Sequence, residues 1–100
     1  MIQHVVLCRF RAEVSDAERD EIWQDLGALK GVVPGLVAAS FGENVSPEGL
    51  ARGYDHGFVM TFEDAAARDA YLEHPDHKKA GARLVAALDG GLDGICVVDI

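Results

Sequence analysis

Apolar and polar residues alternate with a period of two from Ile2 to Phe10. This puts Ile2, His4, Val6, Cys8 and Phe10 on one face and Gln3, Val5, Leu7 and Arg9 on the other, as in a strand. The period then lengthens. Ile22, Leu26, Leu29 and Val33 fall at i, i+4, i+7 and i+11, the single apolar stripe of a helix, with Trp23 beside it. Ser15 followed by Glu18 reads as the capping box that opens this helix, and Pro34-Gly35 closes it. A shorter strand is expected over Leu36 to Gly42, and a long loop over Glu43 to Gly53, which holds Asn44, Ser46, Pro47 and glycines. Alternation returns from Tyr54 to Phe62. Asp64 suits the N-cap of a helix from Ala65 to about Glu73. Pro75 cannot continue that helix but favours the first position of a new one, expected to run to about Leu88 with Leu84, Val85 and Leu88 inward. Gly90-Gly91 punctuates, and Leu92 to Ile100 reads as a final strand.

The order β-α-β-β-α-β predicts an α+β, ferredoxin-like protomer: a four-stranded antiparallel sheet with helices on one face, forming a single domain over residues 1–100. Both strand faces carry apolar residues. Val5, Leu7, Val59, Ile95 and Val97 are read on the face opposite Val6, Met60 and Val98. Helices cover only one face of such a sheet, so the other is expected to pair sheet to sheet in a homodimer.

Charge narrows the partners. The formal net charge is −8, and the nine Lys and Arg residues are scattered. Neither nucleic acid nor an anionic membrane surface suits such a chain. No apolar run approaches the length of a membrane span. Met1 to His4 enters a strand pattern directly, so no secretory leader is expected. Cys8 and Cys96 lie inside apolar strands and read as buried free thiols, which fits a reducing cytoplasm. The histidine and cysteine spacings match no zinc pattern, and no phosphate-cradling or dinucleotide motif is present, so no metal or cofactor is expected.

Polar chemistry is concentrated in Tyr71-Leu72-Glu73-His74-Pro75-Asp76-His77. His77 falls near the start of the helix that Pro75 opens, where the positive end of the dipole favours a neutral imidazole while the neighbouring Asp76 opposes that shift. A break at His74-Pro75 would let Tyr71 and His77 meet, a pair suited to proton abstraction by the imidazole and oxyanion support by the phenol. The alternative is a core tyrosine and a solvated histidine. His74 reads as a cap of the second helical piece or as a solvent-facing residue. His4 and His56 share faces with large apolar side chains on strands expected to be neighbours, so the two rings are expected side by side. They are either core histidines satisfied by backbone or water, or the polar end of an apolar pocket.

His4 to Phe10, Gly42-Glu43-Asn44-Val45-Ser46, Tyr54-Asp55-His56-Gly57-Phe58 and Tyr71 to His77 together resemble the stress-responsive A/B barrel family, also called dimeric α+β barrels. The resemblance implies a ferredoxin-like protomer paired into a dimeric barrel. It includes cyclases of the olivetolic acid cyclase type, which perform an aldol condensation without metal or cofactor. By that resemblance His77 is the general base and Tyr71 its partner, with His4 and His56 orienting a carbonyl of a small apolar keto compound; Phe58, Val59 and Leu84 are further candidates, outside the resemblance, for shaping the cavity. An aromatic pocket position of the cyclase on the first helix is Leu26 here, so the ligand is expected to differ. Two other readings are a non-catalytic stress-associated or ligand-binding dimer and a cofactor-free oxygenase-like barrel.

Overall fold

The computed structural model describes residues 1–100 and has the expected ferredoxin-like architecture. The elements are β1 (Ile2–Cys8), α1 (Asp16–Gly27), β2 (Leu36–Glu43), β3 (His56–Phe62), α2 (Ala65–Glu73), α3 (Pro75–Ala86) and β4 (Ile95–Asp99). The strands form one antiparallel sheet in the order β2-β3-β1-β4. The helices lie on one face, over Val6, Cys8, Phe58, Met60 and Phe62. No helix is long and apolar enough to cross a membrane.

Local signals set most boundaries. The Ser15 hydroxyl accepts from the Glu18 amide, and the Asp64 carboxylate accepts from the Ala67 amide at 2.8 Å, so both N-caps form, although the Glu18 side chain does not return the bond that a full capping box would make. Ile22, Leu26, Leu29 and Val33 are all buried, although α1 tightens at Ala28 into a 3-10 turn to Gly31. That turn lets the Val32 and Val33 amides share the Leu29 carbonyl and so satisfies the end of the helix.

Three strand boundaries differ from the sequence pattern. β1 stops at Cys8 because the next backbone groups serve the turn after α3: Arg9 N donates to Gly94 O, Asp89 N to Arg9 O, and Arg11 N to Ala87 O. Phe10 makes only an isolated bridge to Leu88, yet its ring stays in the core against Trp23. β3 begins at His56 rather than Tyr54, which closes the loop below it. β4 begins at Ile95 rather than Leu92, since Gly90 and Gly91 take positive φ of 77° and 62° and a 3-10 turn follows.

The register also corrects the faces of β4. Val6 pairs with Val97 and Cys8 with Ile95, so Ile95 and Val97 stand on the helix side. Cys96 and Val98, opposite Leu7 and Val5, belong to the open face with Val59.

Candidate functional site

The junction of α2 and α3 builds the centre of the site. A residue before proline is driven out of the helical region, and His74 accordingly sits at φ −66°, ψ 132°. It ends α2 and caps α3, its Nδ1 accepting from the Asp76 amide at 3.1 Å. The break folds the two helices so that Tyr71 and His77 meet, their ring centroids 4.2 Å apart and tilted by 43°. In an unbroken helix those positions would face different directions.

His4 rises from β1 beneath them. Its ring centroid is 5.9 Å from that of Tyr71, edge to face, and 6.1 Å from that of Phe62. The three polar residues border one cavity of about 490 Å3 between sheet and helices. Its other walls are mostly apolar: Val6 and Phe58 from the sheet, Leu26 from α1, Ala82, Leu84 and Val85 from α3, and Ile95 and Val97 from β4. Gly81, one turn after His77, leaves space over that ring, since a Cβ there would be only in ordinary contact with His77 Nε2 at 3.9 Å.

Hydrogen bonds fix the protons. His4 Nδ1 lies 2.7 Å from Asp99 Oδ1, and Arg68 donates to Asp99 Oδ2 at 2.7 Å. Burial opposes the Asp99 charge, but the bonds from Arg68 and His4 outweigh it and hold the carboxyl below its ordinary range. An ionised carboxylate only accepts, so the His4 Nδ1 carries a proton and donates to Asp99. The His77 Nδ1 faces the Leu72 carbonyl at 3.4 Å, so it too carries a proton. Burial lowers the His77 pKa, the carbonyl opposes this, and His4, His74 and Lys78 add to the lowering. Burial raises Tyr71 well above its ordinary 10, so the phenol stays protonated.

His4 Nε2, His77 Nε2 and the Tyr71 hydroxyl have no protein hydrogen-bond partner. No side-chain nitrogen or oxygen sealed inside the fold lacks one. All three side chains line the cavity. Two imidazoles and one phenol thus line the same mostly apolar chamber.

Not every predicted site residue reaches it. Phe58 and Leu84 do. His56 does not: β1 and β3 are neighbours, but His4 pairs with Met60 while His56 pairs with Cys8. Four residues of strand separate the two rings, roughly 13 Å. His56 instead bonds Asp55 at 2.9 Å and packs edge-on against Phe10. Val59 is on the open face, bordering with His56 a separate groove of about 440 Å3 beneath the β2–β3 loop. Cys8 offers no nucleophile, since burial, with Asp55 nearby, pushes its thiol up to about 12. Sequence reasoning missed Asp99 and Arg68. A charged residue in the helix-side phase of β4 is the signal for Asp99, and it becomes readable only with the correct register.

With this geometry in place, comparison decides the family. The stress responsive A/B barrel domain profile matches residues 2–100. This chain belongs to that family. It is 32% identical over 98 residues to the stress-response A/B barrel domain-containing protein HS1 of Arabidopsis thaliana, covering 98% of this chain and 86% of that one. It is 25% identical over 76 residues to olivetolic acid cyclase of Cannabis sativa, covering 76% of this chain and 75% of the cyclase. Among solved structures, a dimeric ferredoxin-like protein of unknown function from Jannaschia sp. superposes with a TM-score of 0.91 at 38% identity, covering 99% of this chain and 96% of that one. A/B barrel membership thus agrees with both the strand order and the helix junction.

Proposed function

We propose that the cavity binds a small, mostly apolar carbonyl compound and that His77 and Tyr71 perform acid–base chemistry on it without a cofactor. The observation that carries this reading is the grouping of Tyr71, His4 and His77 on the wall of one mostly apolar chamber. A few polar side chains grouped on the wall of a mostly apolar cavity are the usual build of a small-molecule site. The His77 ring, kept neutral by burial, takes a proton from the carbon beside the carbonyl through Nε2. Electron density moves onto the carbonyl oxygen, and the Tyr71 phenol, kept protonated by burial, donates to that oxyanion. His4 orients the substrate from the sheet side, and Phe58 and Leu84 shape the apolar end. The kinship to a cyclase supports the same reading. His56 and Val59 have no part in this cavity.

The working unit in this proposal is a homodimer. Leu7 and Val98 are 38% and 48% exposed on the sheet face away from the helices, beside Val5 and Val59. Apolar strands of this kind favour pairing with a second sheet. The dimeric description of the Jannaschia protein supports it.

Exchange of α-protons in an alkyl methyl ketone, followed by NMR in deuterated water, tests the chemistry without knowledge of the natural substrate. The protein should accelerate exchange, and His77→Ala should reduce the acceleration by about a hundredfold or more with the fold retained. Tyr71→Phe should cost at least about tenfold. An exchange rate equal to that of buffer would remove the catalytic role. If the ketone still shifted the cavity resonances, the site would be one for binding alone.

A further inference from the structure

Asp99 divides its two oxygens between two layers of the fold. Oδ1 takes the His4 ring from β1, and Oδ2 takes the Arg68 guanidinium from α2, each at 2.7 Å. Arg68 is itself held on its other side, its Nε donating to Asp69 at 2.9 Å. Arg68 and Asp99 side chains are each only 24% exposed. Arg68 stands one helical turn before Tyr71, so the helix that supplies the phenol also supplies this cation. The backbone around Asp99 is fixed independently, since Gln3 and Ile100 exchange both amide–carbonyl bonds at 2.7 and 2.9 Å. What remains free is the carboxylate rotamer and its charge, and Arg68 and His4 hold both.

We propose that Arg68 is a positioning residue for His4: it clamps Asp99 against Nδ1 and balances the carboxylate charge, so that His4 shows the cavity a neutral Nε2 lone pair. The inference rests on the reading of the cavity as an acid–base site. Without the guanidinium, the carboxylate would act on His4 alone. A bare anion against one imidazole favours the imidazolium, which has no lone pair to offer. The other groups facing His4 do not supply the missing balance. Tyr71 from α2 is a protonated phenol, His77 from α3 is neutral, and Met60 and Phe62 from β3 are apolar. Lys78 at the cavity mouth is engaged with Glu73 at 3.4 Å. Arg68 is thus the cation that acts on the pair.

Nitrogen-15 spectra of the histidine rings, recorded across pH for the full chain, test this directly. In the unaltered protein His4 should be neutral at neutral pH with its proton on Nδ1. In Arg68→Met the ring should charge at a pH higher by about half a unit to two units, the order expected for removing one cation bonded to the far side of the same carboxylate. Arg68→Lys, which keeps the charge, should stay near the parent. A Met variant that titrates with the parent would overturn the proposal and leave Arg68 as a tie between α2 and β4. Should that variant fail to fold, the parent spectrum still decides: an imidazolium at neutral pH, or a proton on Nε2, contradicts the arrangement. These spectra do not depend on ketone exchange, so the catalytic reading and this one fail separately.

Discussion

At the scale of residues, the site separates three histidines that look alike in sequence. His74 spends its Nδ1 on an amide as a helix cap, while His4 and His77 have Nδ1 tied and Nε2 free. The His77 ring carries a pH signature. Burial sets its pKa below the ordinary 6.5, so the unfolded chain binds the extra proton more readily. That contribution to stability is complete above 6.5 and is lost as pH falls from there towards the folded value. Urea denaturation across pH should therefore show a shallower loss of stability in His77→Gln than in the parent over this window. Equal slopes would mean that the folded ring is as easily charged as the free one. The Tyr71–His77 pairing was legible from sequence because Pro75 states the break locally. Asp99 and Arg68 were not, since 31 residues separate them and only the β1–β4 ladder brings them together.

At the scale of elements, short-range signals are reliable and long-range ones are not. The N-caps at Ser15, Asp64 and His74 form, because each needs only residues three or fewer positions away. Asp64→Ala should accordingly cost about 1 kcal/mol in chemical denaturation. The end of β1 and the phase of β4 depended on backbone bonds to the turn after α3, which no local periodicity records. Within α3, Gly81 is the telling residue. Glycine inside a helix costs about 0.5–1 kcal/mol relative to alanine, and nothing in the packing at Gly81 excludes a methyl group. Gly81→Ala should therefore stabilise the fold by about that amount in thermal or urea unfolding. Gly81→Leu should fold but cover His77 Nε2, slowing ketone exchange in the assay above.

At the scale of the whole molecule, the ferredoxin-like arrangement was legible from the β-α-β-β-α-β order of elements, and the two-faced sheet from apolar residues on both faces of the strands. The unity of the site was only partly so. Adjacent strands suggested that His4 and His56 would meet, but adjacency fixes neither register nor height along the strand, and the two occupy different ends of the sheet. The open face carries its own prediction. Leu7→Lys combined with Val59→Lys places charge among Val5 and Val98 without touching the helix-side cavity. Sedimentation should then show a dimeric parent and a monomeric variant, and a parent that sediments as a monomer would contradict the pairing. The central claim, that Tyr71, His4 and His77 receive a carbonyl compound in one chamber, is tested most directly by titrating an alkyl methyl ketone into the labelled protein. The account predicts shifts at all three side chains and binding at least about tenfold weaker in Tyr71→Phe, the loss of one hydrogen bond made in an apolar site. Shifts confined to the groove beside His56, or equal binding by Tyr71→Phe, would contradict it.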